Sequence, residues 1–386
     1  MRNIIFFVNR TIKTLIAFLA SAALLIGCGG GVEESEPSFT PPGLFSQEFS
    51  PLDSSSVMDM SELKQLVSNA VSGTVAVANY FPAKNVLLAV YVGDGFLRAW
   101  DIDNSKVLLE RDLGIVSSIG FGLDESGNQI MGAMLHSIKE NDFGELAEYV
   151  GGVAIWDTNT GKLLYCVVHP CDRSSSEWQR DAVSGVTFDH IGRWVIENRE
   201  IWISVSDITD PDTSYSFSEG GDEYPKYTGL VAIDSYNNRY AIALREGEVI
   251  IGEIGKTGLG WIISKVFLGT YEEGVRHEIT ALSFSPDGKW LARIQDDILT
   301  VWKTDTRAEK LHLEHKIPDG RLLAFDRASE LLFMSTNEAI NIWNIKEMSF
   351  IGEYATPDIT SLSISADNRL LIWGDSSGIV HIWGNQ

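Results

Sequence analysis

Cysteine, long apolar runs and basic residues are all scarce in this chain. Three cysteines in 386 residues are too few for a scaffold held together by disulfides. Only one long apolar run exists, near the N-terminus, and this excludes a polytopic membrane protein. The 53 Asp and Glu outnumber the 30 Lys and Arg, which gives a formal charge of −23. Because such a chain repels nucleic acid and anionic membrane surfaces, neither is expected as a partner.

The residues that are abundant favour short strands and tight turns. A hydrophobic content of 44% excludes a disordered chain, which would be poorer in core-forming residues. The chain has 11 Trp, 17 Phe and 35 Gly, a combination that suits many β-strands joined by sharp turns.

The first thirty residues have the layout of a secretory signal. A segment with three basic and no acidic residues leads into an apolar run that is too short to span a membrane comfortably. The run ends in Leu25-Ile26-Gly27-Cys28, which resembles the lipobox of bacterial lipoproteins. The resemblance implies that residues 1–27 are removed and that Cys28 carries lipid. The alternative is an ordinary signal or N-terminal anchor in which the cysteine occurs by chance.

The resemblance also implies a location in the cell envelope. Gly29, rather than Asp, follows the lipobox cysteine, and in Gram-negative lipoproteins this favours the outer membrane. In a Gram-positive host the protein would lie on the outer face of its only membrane.

Residues 28–59 are rich in Gly, Ser, Glu and Pro, and they predict a flexible, lipid-anchored tether. The alternative is a partly ordered arm that docks on the main domain through Leu44, Phe45 and Phe49.

Residues 60–386 contain a repeat whose units end on tryptophan. The clearest unit alternates apolar and polar residues around a turn at Pro286-Asp287-Gly288 and ends at Trp302. This pattern predicts three antiparallel strands joined by tight turns. The tryptophan ending recurs, and two degenerate copies end at Ser206 and Gly252, which gives seven units. The tryptophans, interpreted as structural anchors, are Trp100, Trp156, Trp302, Trp343 and Trp383.

These units resemble WD repeats, each of which forms one blade of a propeller. The resemblance rests on the Ser-Pro-Asp-Gly turn and on Trp100-Asp101 and Trp156-Asp157. It implies an all-β chain with a single β-propeller of seven blades, each with four antiparallel strands. Because the chain has no Gly-His dipeptide, the hydrogen-bonded tetrad typical of such blades is expected to be incomplete. His277 and His315, expected in loops between blades, are candidates to replace part of it.

The last blade needs a strand from elsewhere in the chain. Only three residues follow Trp383, and related propellers close by borrowing an N-terminal strand as the outer strand of the last blade. Glu62–Val67 lies at the right distance to supply it. The same segment also fits a helix, because Leu63, Leu66, Val67 and Ala70 have helical spacing.

Two motifs invite a catalytic or metal-binding interpretation. Gly374-Asp-Ser-Ser-Gly378 matches the G-x-S-x-G pattern of hydrolases, but the strands around it predict a hairpin turn. Asp207, Asp210 and Asp212 lack the Gly and the distal Glu of a calcium loop, so they predict a solvated turn. We therefore predict no catalytic residue, no metal site and no cofactor.

The segment Cys166-Val-Val-His-Pro-Cys171 leaves three interpretations open. In an oxidising compartment the two cysteines would form a local disulfide. A metal site of the Cys-His-Cys type would need a fourth ligand that the sequence does not identify. Two free thiols in a buried strand are the third interpretation.

Long insertions between the predicted strands carry aromatic residues. Such residues on the loops of a rigid scaffold are typical of recognition surfaces. They predict an interaction rim for an unknown protein partner, or they tuck against the scaffold. These residues are Tyr149, Trp178, Tyr224, Tyr227 and Tyr271.

The sequence therefore predicts a lipid-anchored, non-enzymatic scaffold for protein–protein interaction, which touches the membrane only through its lipid. An extracytoplasmic propeller enzyme, either a lactonase-like hydrolase or a quinoprotein-type oxidoreductase, is the alternative. A scaffold in outer-membrane assembly is a further alternative, which rests on analogy between folds.

Overall fold

The computed structural model describes residues 50–385 except for some turns and links. The excepted residues are 68–73, 82–85, 93–95, 113–114, 124–128, 141–145, 158–162, 169–182, 189–193, 200–202, 208–209, 218–226, 235–236, 238, 245–246, 254–265, 269–278, 305–310 and 366. In the described part of the chain no α-helix occurs, and no helix is long and apolar enough to cross a membrane.

The described residues form 28 strands in seven four-stranded antiparallel sheets. Blade one comprises β2 Thr74–Phe81, β3 Val86–Val92, β4 Phe96–Asp101 and β5 Lys106–Asp112. Blade two comprises β6 Ile115–Leu123, β7 Gln129–Glu140, β8 Leu146–Asp157 and β9 Leu163–Val168. Blade three comprises β10 Val183–Phe188, β11 Trp194–Arg199, β12 Ile203–Asp207 and β13 Asp210–Phe217. Blade four comprises β14 Tyr227–Asp234, β15 Arg239–Leu244, β16 Val249–Glu253 and β17 Val266–Leu268.

The remaining sheets complete the ring. Blade five comprises β18 Ile279–Phe284, β19 Trp290–Gln295, β20 Ile298–Lys303 and β21 Leu311–Lys316. Blade six comprises β22 Leu322–Phe325, β23 Leu331–Ser335, β24 Ala339–Asn344 and β25 Ser349–Ala355. Blade seven comprises β26 Ile359–Ile364, β27 Leu370–Asp375, β28 Ile379–Gly384 and, as its outer strand, β1 Ser61–Val67.

The seven first strands line the inside of a closed ring. Each first strand contacts the first strand of the next blade, and β26 of blade seven contacts β2 of blade one. The all-β propeller is thus confirmed, and the number of sheets among the described strands agrees with the predicted seven blades.

Strand β1 closes the ring as the sequence predicted. It pairs antiparallel with β28, with Glu62 opposite Trp383 and Val67 opposite Ile379. Leu66 is completely buried, and the Lys64 ammonium donates to the backbone carbonyl of Asp103 in blade one, at 2.8 Å. The strand interpretation of this segment was therefore right, and Ser61–Val67 does not form the helix that its spacing also allowed.

The turn between the first and second strands has a repeated design. In blade five, Ser285 Oγ accepts from the Trp290 N–H, and Gly288 takes a φ of 68°, where the absence of a Cβ avoids strain. In blade seven, Ser365 Oγ accepts from the Leu370 N–H, and Asn368 takes a φ of 62°. In blades five and seven, the short polar residues that mark the repeat in the sequence are therefore the ones that satisfy the backbone of the turn.

The hydrophobic core lies between neighbouring blades. One cluster joins blades five and six through Ile294, Val301 and Leu332, and another joins blades seven and one through Ile382 and Leu87. Further clusters join blades three to four, four to five and six to seven, so in the described part of the ring the core continues from one blade to the next.

The end of the predicted tether is packed against the ring. Leu52 is 2% exposed and Val57 is fully buried, and the Leu52 N–H donates to the Asn368 carbonyl at 2.7 Å. The Tyr354 hydroxyl in blade six donates to the Val57 carbonyl at 2.8 Å. These apolar side chains at the end of the predicted tether thus gain burial between blades six and seven.

Candidate functional site: a groove on the link face

In blades five to seven, the turns between second and third strands lie at one end of the ring, together with the links that join these blades. We call this end the link face. On it, a groove of about 360 Å³ lies between blades six and seven and the closing strand. Its lining residues are Glu62, Gln65, Thr356, Pro357, Asp358, Trp373, Asp375, Ser376, Ser377, His381 and Trp383.

Asp375 builds the hairpin turn that borders the groove. Its Oδ1 accepts from the backbone N–H groups of Ser377 and Ile379, each at 2.9 Å, and from the Ser377 hydroxyl at 2.7 Å. Gly378 ends the turn with a φ of 87°. The Gly374–Gly378 motif is thus the predicted hairpin turn. It lies between two strands and lacks the strand-to-helix elbow that a hydrolase nucleophile requires.

His381 lies between two carboxylates at the floor of the groove. Its Nδ1 is 2.6 Å from Oε1 of Glu62 on the closing strand, and its Nε2 is 3.1 Å from Oδ2 of Asp375. Its ring stacks on Trp373, with centroids 3.6 Å apart and planes 5° apart. The imidazole is fixed on both nitrogens and on one face, so it joins the closing strand to the hairpin.

The pKa values of both carboxylates, Glu62 and Asp375, are lowered. Burial of Glu62 disfavours its charged form, but hydrogen bonds from His381 and Gln65 outweigh this and hold the pKa of Glu62 below its usual value. Burial also opposes ionisation of Asp375, but hydrogen bonds from Ser377, Ile379 and His381 lower the pKa of that carboxyl. The groove is therefore negatively charged at neutral pH.

A third carboxylate lies on the opposite lip, in the link between blades six and seven. Asp358 is exposed and takes a φ of 61°, and its carbonyl accepts from the Ser376 N–H at 3.3 Å. Its carboxylate has no hydrogen-bond or ion-pair partner among the residues that the structure describes. Among the described residues that line the groove there is neither lysine nor arginine.

Two tryptophans form the aromatic wall. Trp373 is 4% exposed, and its indole Nε1 has no hydrogen-bond partner within the described part of the chain. Trp383 contacts the Tyr354 ring edge-on, with centroids 4.8 Å apart. The wall is thus built of two indole rings that pack against neighbouring rings of blades six and seven.

The predicted aromatic rim is only partly within the described residues. Tyr149 lies in β8 opposite Ser137, so the insertion in blade two extends the β7–β8 hairpin, and Tyr149 is not in a loop. Tyr227 begins β14 opposite Leu244. Trp178, Tyr224 and Tyr271 lie outside the described residues.

For the other predicted sites, the structure gives the position of some residues but does not test their predicted roles. Cys166 lies in β9 opposite Ala154, while Cys28 and Cys171 lie outside the described residues. Asp207 ends β12 and Asp210 begins β13, so the acidic cluster spans a hairpin. Within the described ranges, no group of three or more His, Cys, Asp or Glu is arranged to hold a metal ion.

The anchor tryptophans lie near the ends of third strands. Trp100, Trp302 and Trp343 are buried, and Trp156 and Trp383 occupy equivalent places in β8 and β28. The indole Nε1 atoms of Trp100, Trp343 and Trp383 have no hydrogen-bond partner among the described residues.

The expected position of His315 was wrong, and that of His277 lies outside the described residues. His315 does not lie in a loop between blades. It belongs to β21, the outer strand of blade five, and pairs there with Leu299 of β20. It contacts the Trp343 ring edge-on at 4.8 Å and makes no hydrogen bond to its Nε1.

The sequence analysis missed the groove residues Glu62, Asp358, Trp373, Asp375 and His381. The motif at Gly374–Gly378 was noticed only as a turn, and His381 carries no signal of its own two residues before Trp383. The groove could have been found from the register of β1 on β28. The pairing of Glu62 with Trp383 brings Glu62 beside His381.

Comparison with known proteins identifies the fold. No protein-family model matches the chain. Over 115 residues the chain is 29% identical to the Target of rapamycin complex subunit wat1 of Schizosaccharomyces pombe, a match that covers 29% of this chain and only 37% of that protein. The β-propeller domain of Myceliophteria thermophila Cps50 (Swd1) superposes with a TM-score of 0.62 at 16% identity, covering 85% of this chain and 100% of that one. The chain therefore has the β-propeller fold of WD-repeat proteins.

Proposed function

We propose that this protein is a lipid-anchored, non-enzymatic scaffold of a bacterial cell envelope, whose propeller binds another protein through its link face. The observation that carries the proposal is the open groove on that face, which three separate segments build on a rigid ring. Recognition surfaces of this kind use loops and turns that a stable framework holds in place.

The framework supports this role because its closure leaves the groove in one arrangement. The closing strand, the hairpin at Asp375 and the link at Asp358 meet only when the ring is closed. The wat1 protein is named as a subunit of a complex, which is consistent with a role in assembly for this chain.

The N-terminal part of the proposal rests on the lipobox-like Leu25-Ile26-Gly27-Cys28. A lipid on Cys28 would hold the ring at a membrane surface, and residues 29–51 would supply the reach between them. In a Gram-negative host this membrane would be the outer one.

Site-directed photo-crosslinking in cells tests the binding function. A photoreactive residue in place of Ser376 lies exposed on the groove, and the same residue in place of Ala328 lies exposed on a first turn at the opposite end of the ring. We expect specific protein adducts from position 376 only. Identical adducts from both positions, or adducts from neither, would contradict the proposal.

Labelling with a fatty acid tests the anchor. The full chain should incorporate the label and sediment with membranes, and Cys28→Ser should do neither. Cys166→Ser is the matched control, because it removes a cysteine that lies in β9 and leaves the lipobox intact. Equal labelling of the Cys28→Ser chain would overturn lipidation without affecting the binding proposal.

A further inference from the structure

We propose that Ser50–Met60 is a strap that resists a pull on the N-terminal tether, so that the pull does not peel the closing strand from the ring. The proposal rests on the proposed function, because a chain anchored through its N-terminal end is pulled at that end. Two features of the described residues carry it: the position at which β1 would be peeled, and the contacts that hold the strap upstream of it.

Strand β1 would open easily if a pull acted on it directly. Its first residue, Ser61, pairs with Gly384 at the C-terminal end of β28. A pull on Ser61 away from Gly384 strains this outermost pair first, and the other pairs then separate one after another. Each backbone hydrogen bond is weak by itself, and the ends of a sheet open most readily. The N-terminal end of β1 is therefore the weak point of the closure.

The strap is a loop that leaves this weak point and returns to it. Ser50, where the strap begins, forms a backbone bridge with Asn385, the residue after Gly384. Met60, where the strap ends, precedes Ser61 in the chain. A pull from upstream of Ser50 therefore reaches β1 only after the loop has been detached and straightened.

One part of the strap is clamped by Asn368 in the first turn of blade seven. The Leu52 N–H donates to the Asn368 carbonyl at 2.7 Å, and the Asn368 side-chain amide donates to the Leu52 carbonyl at 3.1 Å. In blade six, the Arg327 N–H donates to Oδ1 of Asn368 at 2.7 Å, and Oδ2 of Asp326 accepts from its Nδ2 at 3.3 Å. Both backbone groups of Leu52 are thus held by a residue that two blades fix.

The rest of the strap is held by Tyr354 of blade six. Its hydroxyl donates to the Val57 carbonyl at 2.8 Å and lies 3.3 Å from the Met60 carbonyl. Between the two attachments, the Val57 N–H donates to the Asp53 carbonyl at 3.0 Å and closes a turn. The strap therefore cannot lengthen unless these hydrogen bonds break.

Burial strengthens both attachments. Leu52, Val57 and Met60 are each no more than 5% exposed, and they belong to one cluster with Phe333 of blade six and Leu371 of blade seven. Withdrawal of the strap exposes all three side chains to water, whereas peeling of β1 from its end separates one pair at a time. The free energy of the first process is larger, since a buried apolar side chain stabilises more than a single backbone hydrogen bond.

Single-molecule force measurements with two points of attachment test the proposal. In the full chain, kept in detergent, an amino acid with a bio-orthogonal group replaces Glu34 upstream of the strap and carries one handle, and a peptide tag after Gln386 carries the other. In a second form the first handle is attached at Asp59, which is exposed and lies downstream of Leu52 and Val57. At constant force, we expect the ring to stay closed about tenfold longer in the Glu34 form, because interactions broken before the rate-limiting opening slow it.

Leu52→Ala weakens the strap and leaves β1 intact. It should shorten the lifetime about tenfold in the Glu34 form and less than about twofold in the Asp59 form, since Leu52 resists the pull only in the first. Asn368→Gly should act in the same direction, and glycine adopts the φ of 62° at this position without strain. Leu66→Ala is the matched control, because it truncates a buried leucine of β1 itself and should shorten both lifetimes alike.

Two results would overturn the proposal: equal lifetimes of the Glu34 and Asp59 forms, or an equal effect of Leu52→Ala in both forms. The proposed function fails separately. If the chain incorporates no fatty acid, its anchoring part is wrong, while the lifetimes still decide whether Ser50–Met60 resists a pull.

Discussion

Blades five and seven have the same fold but hold their outer strands differently. Blade five is one continuous stretch from β18 to β21, whereas blade seven borrows β1 from far upstream in the chain. Their third strands align at the anchors Trp302 and Trp383, so equivalent positions can be compared side by side. The differences show how a ring secures a blade whose outer strand is not a neighbour in sequence.

The inner polar groups are the first difference. In blade five, Arg293 lies over Trp302 at 4.7 Å and donates to the carbonyl of Gly247 in blade four. Burial lowers the pKa of Arg293 to about 10, although the nearby charge of Asp296 opposes this. The equivalent place in blade seven holds Trp373, which stacks on His381. In blade five the polar contact, made by Arg293, thus reaches the preceding blade. In blade seven it is made by His381, which contacts Glu62 of the closing strand.

The outer strands are the second difference. Leu66 of β1 pairs with Val380 in blade seven, and the equivalent residue of β21 in blade five is His315, which pairs with Leu299. Leu66 is completely buried, whereas His315 is exposed. At this position the borrowed strand therefore buries a leucine, and the burial offsets part of the entropic cost of its distance in sequence.

The largest expected effect comes from removing the borrowed strand. A chain that begins at Thr74 lacks β1, which leaves the outer edge of β28 unpaired and the pocket of Leu66 empty. We expect a loss of more than about 4 kcal/mol in the free energy of unfolding, or failure to fold. Thermal unfolding followed by circular dichroism measures this, and a chain that begins at Ser50 is the control, because it keeps β1 and the packed arm. Equal stability of the two chains would show that β1 does not close the ring.

Leu66→Ala should have the next largest effect. Truncation of this fully buried side chain removes apolar contacts with the cluster shared by blades seven and one, at a cost of about 3 kcal/mol. His315→Ala, at the equivalent place in blade five, should cost less than about 1 kcal/mol because His315 is exposed. Denaturant unfolding of both variants gives the comparison, and similar losses would mean that the two outer strands contribute alike.

Gly374→Ala tests how closely blade seven meets blade one. A Cβ at Gly374 would lie 2.4 Å from Cβ of Val75, an atom held near the backbone, and the equivalent residue in blade five is Ile294. Since Val75 cannot move away cheaply, we expect a loss of about 2 kcal/mol. Gly352→Ala is the control, because its nearest neighbour is the flexible end of Met58 at 2.7 Å. A smaller loss for Gly374→Ala than for Gly352→Ala would contradict this packing.

The repeat predicted the ring because each blade carries its own local signals. The turn residues Ser285 and Gly288 and the anchor Trp302 all lie within one unit, and short-range patterns record them. The groove was not predicted because Glu62 and His381 are 319 residues apart and meet through the register of β1 on β28. Nor did the sequence show that Leu52 and Val57 pack on the ring, since the composition around them is that of a tether.

Glu62→Gln is expected to have the smallest effect, and its dependence on pH distinguishes it. The hydrogen bond to His381 joins the closing strand to the hairpin, but Glu62 is 36% exposed, so solvent screens it and the loss at neutral pH should be about 1 kcal/mol. The folded pKa of Glu62 lies below the usual 4.5, so its contribution is present above that value and disappears as the pH falls through the folded pKa. The difference in unfolding free energy between wild type and Glu62→Gln should therefore shrink at pH values below about 4.5.

Urea unfolding across this pH range measures this difference, with Glu353→Gln on the exposed outer strand of blade six as the control. A difference that stays constant with pH would mean that Glu62 acts through packing, and the charge of Glu62 beside His381 would then contribute nothing to the closure that sets blade seven apart from blade five.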